Sequence, residues 1–289
     1  MIVSTLMGAT KWKVAGREID LTQRGMIMGV LNVTPDSFSD GSEFFATDQA
    51  VEHGKQMAAS GAQIIDVGGE STRPGAQPVP ADEELSRVLP VIAQLREITD
   101  AFISIDTAKA VVALGALEVG ASIINDVTGG RGDEKMMTLA AEKKAAFIIM
   151  HMQGTPRTMQ DAPQYDDVVA EVGEFFRQQY ARALKCGIDP MAIAFDPGIG
   201  FGKTVAHNLA LLAHLAELRI EDRPIVVGVS RKSFLGKITD TSEMSERLAP
   251  TIAFTSLLRE RGADVLRVHD VKENVAAMRV TDAFRGAEK

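Results

Sequence analysis

The sequence predicts an α/β protein, a (β/α)8 TIM barrel that carries a short N-terminal β-hairpin. Three observations support this fold class: eight short runs rich in Ile and Val, a helix-like segment after each run, and polar residues where the runs end. Nearly continuous apolar runs are typical of parallel strands that are covered on both faces. Eight strand–helix repeats close into a barrel through right-handed crossovers, and such barrels typically take roughly 250 residues.

The hairpin and the eight strand–helix units follow one another along the chain. The hairpin is predicted over about residues 11–21, with Ala15 and Gly16 at its turn, and should cover the bottom of the barrel. The predicted barrel strands are MIMGVLN (26–32), QIIDVG (63–68), FISID (102–106), SIINDV (122–127), AAFIIMH (145–151), AIAFD (192–196), PIVVGV (224–229) and DVLRVHD (264–270). The predicted helices cover residues 48–60, 82–97, 108–119, 133–144, 166–186, 206–218, 245–261 and 271–285, where apolar residues recur three and four positions apart. An open, doubly wound sheet is the alternative, but the glycine fingerprint of a dinucleotide-binding sheet does not follow the first strand.

Composition limits the function further. The 289 residues contain no linker or low-complexity tract, so one domain is predicted over residues 1–289. The net charge of −8 argues against a nucleic-acid-binding surface. The single cysteine, Cys186, excludes an intrachain disulfide and fits a reducing cytoplasm. Neither a signal sequence nor an apolar run of the roughly 18 residues that span a membrane is present, so we expect a cytoplasmic protein that contacts no membrane.

Polar residues end the predicted strands, where the active site of such a barrel lies. They are Asn32, Asp66, Asp106, Asn125, His151, Asp196 and Arg267 with His269, while the seventh run continues into Ser230, Arg231, Lys232 and Ser233. Residues two apart share a face of a strand, so Arg267 and His269 should point the same way. Ordinary alternatives are a helix cap for Asp106, a turn for Asn125 and a satisfied core histidine for His151. Each of these explanations would have to apply separately at a different strand of the same barrel, so together they are less favoured than one shared site.

One part of this set suits a flat heterocycle. Asp106, Asn125 and Asp196 offer acceptors and amides to a ring with several N–H donors, such as a pterin or a purine. A carboxylate that faces a ring amidine or guanidine edge makes two parallel hydrogen bonds. Lys232 can donate to a ring oxygen or nitrogen.

The other part suits an anion and a metal ion. Arg73, Arg267 and His269 can donate to phosphate, which arginine binds in a bidentate manner. Asn32 offers an amide oxygen, and Mg²⁺ typically takes one or two protein oxygens and completes its shell with phosphate and water. The sequence therefore predicts one pocket with a pterin-like end and a diphosphate-like end.

Three loops at the strand ends are rich in Gly, Pro or Ser: TPDSFSDG (34–41), GGESTRPGAQPVP (68–80) and DPGIGFGKT (196–204). The first two have the composition of mobile lids, and Phe38, Arg73 and Pro74 within them can meet an aromatic acid. The third surrounds Phe201 with glycines, but no glycine precedes Gly202-Lys203-Thr204 by the four intervening residues that a nucleotide P-loop requires.

Long ordered segments resemble one family, the dihydropteroate synthases. They are GVLNVTPDSFSDG, IIDVGGESTRPGA, ISIDT, IINDVTGG, MHMQGTPRTMQ, DPGIGFGKT, VGVSRKSFLG and GADVLRVHDV, from about residue 28 to residue 275. The resemblance implies that 4-aminobenzoate is joined to (7,8-dihydropterin-6-yl)methyl diphosphate, which gives 7,8-dihydropteroate and pyrophosphate in folate biosynthesis. It also implies a homodimeric pterin-binding barrel that uses Mg²⁺ and is inhibited competitively by sulfonamides.

The resemblance further implies roles for individual residues. The pterin should contact Asp106, Asn125, Asp196, Lys232, Met150, Val127 and Gly228. The diphosphate should contact Asn32, Arg73, Arg267 and His269, and Asn32 should also reach Mg²⁺. The 4-aminobenzoate should contact Thr72, Arg73, Pro74, Phe38, Phe201 and Ser233, while Thr34 and Asp36 belong to a lid. The residues expected to carry the reaction are Arg267, His269, Asn32, Lys232 and Asp196.

The reaction expected from these residues is an SN1-like displacement. Mg²⁺, Arg267 and His269 would stabilise the leaving diphosphate. The sequence shows no Ser–His–Asp or Cys–His arrangement that would favour a covalent intermediate. Two alternatives remain: a methyltetrahydrofolate–corrinoid methyltransferase, which would not need the lid motifs or the Arg267–His269 pair, and a non-catalytic pterin-binding protein.

Overall fold

The N-terminal hairpin has the predicted position and turn. The computed structural model describes residues 10–34, 43–72, 75–155, 158–159 and 162–287. Strands β1 (Lys11–Val14) and β2 (Arg17–Asp20) pair in an antiparallel manner. Ala15 and Gly16 connect them with positive φ angles of 49° and 74°. Two residues with positive φ are what a tight hairpin turn requires, and glycine at the second position makes it easier to form.

Eight parallel strands form the predicted barrel. They are β3 (Met26–Asn32), β4 (Ile64–Gly68), β5 (Phe102–Asp106), β6 (Ile123–Asp126), β7 (Ala146–Met150), β8 (Ile193–Asp196), β9 (Val226–Val227) and β10 (Val265–Val268). Hydrogen bonds join them in the order β8-β7-β6-β5-β4-β3-β10-β9. A parallel bridge between Phe195 and Ile225 and a 2.9 Å hydrogen bond from the Phe195 amide to the Pro224 carbonyl connect β8 to β9. The ring therefore closes, which excludes the open doubly wound sheet.

Nine α-helices of the described residues lie between and after these strands. They are α1 (Glu43–Ala59), α2 (Ala81–Ile98), α3 (Ala110–Glu118), α4 (Met136–Lys143), α5 (Val168–Lys185), α6 (Val205–Ala213), α7 (Ser233–Thr239), α8 (Leu248–Glu260) and α9 (Val271–Ala287). Helix α7 was not predicted, because seven residues that include Gly236 carry little helical periodicity. The predicted strand over 224–229 was too long, since only Val226–Val227 pairs as a strand. No helix in the described ranges combines the length and apolar composition that a membrane span requires.

The alternation of side chains along the strands separates two hydrophobic layers. Ile103, Ile105, Leu266 and Val268 pack with the helices in the outer layer, as the two-residue period predicts. The inner layer fills the lower part of the barrel and includes the hairpin residue Trp12, which is fully buried. Ser104, Asp106 and Arg267 take the alternate face of the same strands, so polar groups are directed to the inside of the barrel.

Candidate active site

The C-terminal ends of the barrel strands surround one space, here called the cup. The strand register places Asn32 beside Gly68, Gly68 beside Asp106, and Asp106 beside Asn125. On the other side of the barrel, Met150 lies beside Asp196. Neighbouring strands thus bring the predicted acids and amides to the same level of the barrel.

A hydrogen-bonded network joins the two predicted ends of the site. Arg267 donates through Nε to Asp66 Oδ2 at 2.6 Å and through Nη2 to Asp106 Oδ2 at 2.7 Å. Asn125 donates through Nδ2 to the same Asp66 oxygen at 3.1 Å. One buried carboxylate therefore orients a residue expected at the heterocycle and a residue expected at the diphosphate.

The charges in this network shift its pKa values. Burial raises the pKa of the Asp106 carboxyl to about 7, although the positive charge of Arg267 acts in the opposite direction. Burial by itself would lower the pKa of Arg267, but Asp66 and Asp106 together outweigh it and raise that pKa, so the guanidinium is always charged. Among the described residues, Asp66 Oδ1 and Asp106 Oδ1 are buried and accept no hydrogen bond. Asp106 keeps slight exposure, so its oxygen is suited to an N–H donor of a bound ring, whereas Asp66 is fully buried behind it.

Asp66 is the residue whose importance the sequence interpretation missed. It was recognised among the polar strand residues but received no role. An ionisable residue inside the otherwise apolar strand IIDVG is the signal that could have identified it, because a fully buried carboxylate needs partners. Its partners, Asn125 and Arg267, belong to strands distant in sequence.

Lys232 and Asp196 lie on the opposite side of the cup. The Lys232 ammonium donates to the carbonyl of Ile199 and lies 4.7 Å from the centroid of the Phe201 ring. Asp196 Oδ1 accepts a 2.7 Å hydrogen bond from the Gly198 amide. Burial raises the pKa of Asp196, and burial lowers the pKa of Lys232 to about 8 while Asp196 opposes that change. This side offers an acceptor and a cation next to an aromatic face.

The apolar lining is a separate cluster above the barrel core. Val127, Met150, Met152 and Met159 pack together, and Phe201 packs against them. A Cβ built on Gly228 would lie 3.7 Å from Arg267 Cβ and 3.9 Å from Lys232 Nζ. The backbone of Gly228 therefore lies between these two cations, and its missing side chain leaves space in the cup.

His269 is oriented by Ser230. The Ser230 hydroxyl lies 3.0 Å from His269 Nδ1 and accepts a 3.1 Å hydrogen bond from the His269 amide. Next to them, Arg231 and Asp270 form an ion pair, which ties the loop after β9 to the start of α9. The loop that carries Ser230 and the strand end that carries His269 are thus held together.

Asn32 is the described residue that fits a magnesium ion. Its Oδ1 and the Asp106 Cβ both lie within 4 Å of a Cβ built on Gly68, so both side chains are on the same side of the cup. No group of three or more His, Cys, Asp and Glu side chains in the described part of the chain could hold a metal ion. An amide oxygen is one ligand that Mg²⁺ accepts, and this ion takes few protein ligands when substrate phosphates supply the others.

The remaining predicted residues belong to the loops. Thr34 and Thr72 are half-buried in the loops after β3 and β4, and Ser233 begins α7 directly after Lys232. Asp36, Phe38, Arg73 and Pro74 lie outside the described residues. His151 is buried and contacts Lys203 Nζ at 3.0 Å through Nδ1, which agrees with the satisfied core histidine considered as its alternative.

Comparison with known proteins identifies relatives that share the sequence and the fold of this chain. A family model described as pterin binding enzyme matches residues 28–269. The dihydropteroate synthase of Escherichia coli (strain K12) is 46% identical over 274 residues, which cover 95% of this chain and 96% of that protein. A Yersinia pestis dihydropteroate synthase structure with a sulfonamide drug complex is 42% identical with a TM-score of 0.89, covering 96% of this chain and 99% of that chain. A Xanthomonas albilineans dihydropteroate synthase structure with 4-aminobenzoic acid is 43% identical with a TM-score of 0.89 and the same coverage.

These similarities extend over nearly the whole chain and not over a single motif. The family model begins in β3 and ends at His269, so it includes every strand of the barrel. Fold, strand-end residues and relatives thus lead to one assignment. This chain belongs to the dihydropteroate synthases, the pterin binding transferases of folate biosynthesis.

Proposed function

We propose that the cup condenses 4-aminobenzoate with (7,8-dihydropterin-6-yl)methyl diphosphate to give 7,8-dihydropteroate and pyrophosphate. The observation that carries this assignment is the Arg267 bridge, which joins acceptors for a heterocycle to donors for a diphosphate within one network. The Xanthomonas relative with 4-aminobenzoic acid and the Yersinia relative with a sulfonamide drug support the choice of the second substrate.

The pterin is proposed to lie against the acidic side of the cup. Asp106, Asn125 and Asp196 would accept from or donate to its edge, and Lys232 would donate to a ring oxygen or nitrogen. The Oδ1 atom of Asp106, which has no hydrogen-bond partner among the described residues, supports this position for an N–H donor. Val127, Met150 and Gly228 would line the slot around the ring.

The diphosphate is proposed to lie at Arg267, His269 and Asn32, with Arg73 from the loop after β4. Arg267 and His269 supply positive charge or hydrogen bonds to the oxygens of the leaving group as the C–O bond breaks, which is preorganised electrostatic catalysis. Asn32 would hold Mg²⁺ together with the substrate phosphates. Bound Mg²⁺ supplies further positive charge to the diphosphate.

The reaction is proposed to be SN1-like. The bond between the methylene carbon and the diphosphate oxygen breaks, and its electron pair leaves with the diphosphate. The electron-rich dihydropterin spreads the positive charge, which the carboxylates of Asp106 and Asp196 favour. The aniline nitrogen then forms the C–N bond and loses one proton. A neutral aniline is already nucleophilic, so no strong general base is needed.

The 4-aminobenzoate is proposed to bind at the loop side of the cup. Phe201 would contact its ring, and Ser233 and Thr72 would lie near it together with Phe38, Arg73 and Pro74. Thr34 and Asp36 would belong to the lid that excludes water from the cation. Sulfonamides, which resemble 4-aminobenzoate, would compete for the same position.

The decisive test is pyrophosphate release with both substrates and Mg²⁺. We expect release only in the complete mixture, together with formation of 7,8-dihydropteroate, and a strong reduction when Mg²⁺ is removed by a chelator. Mixtures that lack either substrate are the controls. Binding of the pterin without product would instead favour a non-catalytic pterin-binding protein, and methyl transfer from methyltetrahydrofolate to a corrinoid would favour the methyltransferase.

A homodimer and a cytoplasmic location are also proposed. The apolar side chains of Leu257 on α8 and of Val280 and Phe284 on α9 are exposed, and α8 packs against α9. A subunit contact through these two helices would bury that apolar surface. The single cysteine agrees with a reducing compartment.

A further inference from the structure

Lys203 is a buried cation that the proposed reaction does not use. Only 3% of its surface is exposed. Its Nζ lies 3.0 Å from His151 Nδ1 and donates to three carbonyl oxygens, those of Gly198 at 3.0 Å, Phe201 at 3.0 Å and His151 at 3.3 Å. An ammonium with this many backbone partners fixes the segments that carry them.

The segments in question are the glycine loop (residues 196–204) and the backbone that follows β7. Gly198 has φ +64°, and a Cβ there would overlap the carbonyl oxygen of His151. Gly202 has φ +65°, and a Cβ there would lie 2.6 Å from the carbonyl oxygen of Gln153. The two backbones therefore approach each other where only glycine fits. Carbonyl groups buried at such a contact need donors, and Lys203 supplies them.

His151 is the neutral member of this arrangement. Burial, followed by the charge of Lys203, lowers the pKa of the His151 imidazole to about 2. A neutral imidazole can accept a hydrogen bond at Nδ1, whereas an imidazolium cannot. Burial also lowers the pKa of Lys203 to about 7, while Asp196 opposes that change. The amine is therefore protonated in only part of the molecules at neutral pH, and both of its forms keep N–H groups for the carbonyl oxygens.

The glycine loop connects Lys203 to the cup. Phe201, whose carbonyl Lys203 holds, directs its ring to the apolar cluster and lies 4.7 Å from Lys232 Nζ. Lys232 in turn donates to the carbonyl of Ile199 in the same loop. The loop is therefore held at Gly198 and Phe201 by Lys203 and at Ile199 by Lys232, which belongs to the proposed pterin site.

We propose that Lys203 is a positioning residue that holds the glycine loop so that Phe201 presents its ring to 4-aminobenzoate. The inference rests on the proposed function, which assigns Phe201 to that substrate. Lys203 itself touches neither substrate in this arrangement. In the described part of the chain, Asp106 and Asn125 make no contact with the loop, whereas Asp196 and Lys232 are hydrogen-bonded to it at Gly198 and Ile199, so the effect should be larger for 4-aminobenzoate than for the pterin.

The test is steady-state kinetics of Lys203→Met, which keeps the length of the side chain and removes its donors. We expect KM for 4-aminobenzoate and the inhibition constant of a sulfonamide to rise together by about tenfold, the scale of one lost charged hydrogen bond. KM for the pterin diphosphate should rise to a clearly smaller extent, because Asp106 and Asn125 keep their positions. Unchanged binding of 4-aminobenzoate, or an equal loss for both substrates, would overturn the inference.

Wild-type enzyme in the same assay distinguishes failure of the proposed function from failure of the proposed role of Lys203. An inactive wild type contradicts the proposed function, whereas an active wild type with an unaffected Lys203→Met contradicts the role of Lys203 alone. A double-mutant cycle with Phe201→Leu gives the second readout. If Lys203 acts through Phe201, the combined effect on KM for 4-aminobenzoate is smaller than the product of the single effects. Multiplicative effects would refute the coupling.

Arg219→Met is the matched control for instability. Arg219 is also a buried cation that donates to backbone carbonyls, those of Arg223 at 3.0 Å and Gly262 at 2.6 Å, but it lies at the N-terminal end of the strands. We expect it to lower the free energy of unfolding without changing either KM. A similar rise in KM for 4-aminobenzoate would show that instability alone causes it. If Lys203→Met does not fold, Lys203→Gln, which keeps two N–H donors, should raise this KM to a smaller extent, and a wild-type value would refute the proposal.

Discussion

Arg267 shows how a buried carboxylate orients a cation for ligand binding. Two of its nitrogens, Nε and Nη2, are held by Asp66 and Asp106. The planar guanidinium can then present only its remaining N–H groups to an anion. His269 follows two residues further along, just beyond β10, and Ser230 orients its ring. Arg267 and His269 are thus both oriented before a ligand binds.

The two ends of the site should respond differently to substitution. We expect His269→Ala and Arg267→Ala to lower kcat with the diphosphate substrate by roughly 100-fold, because charge on the leaving group loses its partner. His269→Ala should bind a pterin without diphosphate nearly as well as wild type, whereas Arg267→Ala should lose part of that binding, because Asp66 and Asp106 lose their buried cation. Asp196→Asn should weaken that pterin itself. Calorimetry with the bare pterin measures the difference, and an equal loss in all three variants would contradict the division of roles.

The loops after β8 and β9 use glycine for different reasons. The backbone at Gly198 has a positive φ and passes so close to the carbonyl of His151 that an added Cβ would overlap it. Gly228 has ordinary space around it, since the nearest atom to an added Cβ lies at 3.7 Å. One glycine is required by the packing of two loops, and the other leaves room inside the cup.

Alanine at these two positions should therefore separate stability from binding. We expect Gly198→Ala to lower the free energy of unfolding by at least about 1 kcal/mol, because its positive φ and the overlap with a carbonyl both oppose a side chain. Gly228→Ala should fold as stably as wild type and bind the pterin more weakly, since its methyl group enters the slot. Urea denaturation measures the stability of the two variants, and calorimetry measures their affinity for the pterin. A Gly198→Ala variant that is as stable as wild type and has full pterin affinity would refute the prediction for Gly198.

At the scale of the whole molecule, the hairpin supports the barrel at its weakest seam. Strands β8 and β9 are joined by a single bridge and one further backbone bond. Trp12 of the hairpin is fully buried against the inner layer and donates through Nε1 to the Ala192 carbonyl at 3.0 Å, directly before β8. The hairpin therefore fills the lower end of the barrel and holds the strand that closes it.

Removal of Trp12 should weaken the fold and spare the chemistry. We expect Trp12→Ala to lower the free energy of unfolding by about 3–5 kcal/mol, because a large buried ring leaves a cavity. KM for both substrates should stay within about twofold of wild type, since the cup lies at the other end of the strands. Lys13→Ala, which breaks an exposed ion pair between the same hairpin and Asp189, is the control and should lower the free energy of unfolding far less than Trp12→Ala. A large change in either KM for Trp12→Ala would contradict this separation.

Local sequence patterns were sufficient to predict most helices and strands and the polar residues at the strand ends. Runs of Ile and Val located every barrel strand, and the two-residue period correctly assigned Ile103 and Leu266 to the helix side. Short elements were harder to predict from the sequence: α7 contains seven residues, and β9 pairs through two. Their formation depends on neighbouring strands and loops more than on their own periodicity, so no local pattern predicted their bounds.

Periodicity, turn residues and ordered motifs are local properties of the chain, and they were enough to predict the barrel, the hairpin turn at Ala15 and Gly16 and the family. The contact of Asp66 with Arg267, 201 positions away, and the contact of Lys203 with His151, 52 positions away, became visible in the folded structure alone. Hydrogen bonds and burial depend on distance in space, and closure of the ring brings these strand ends together.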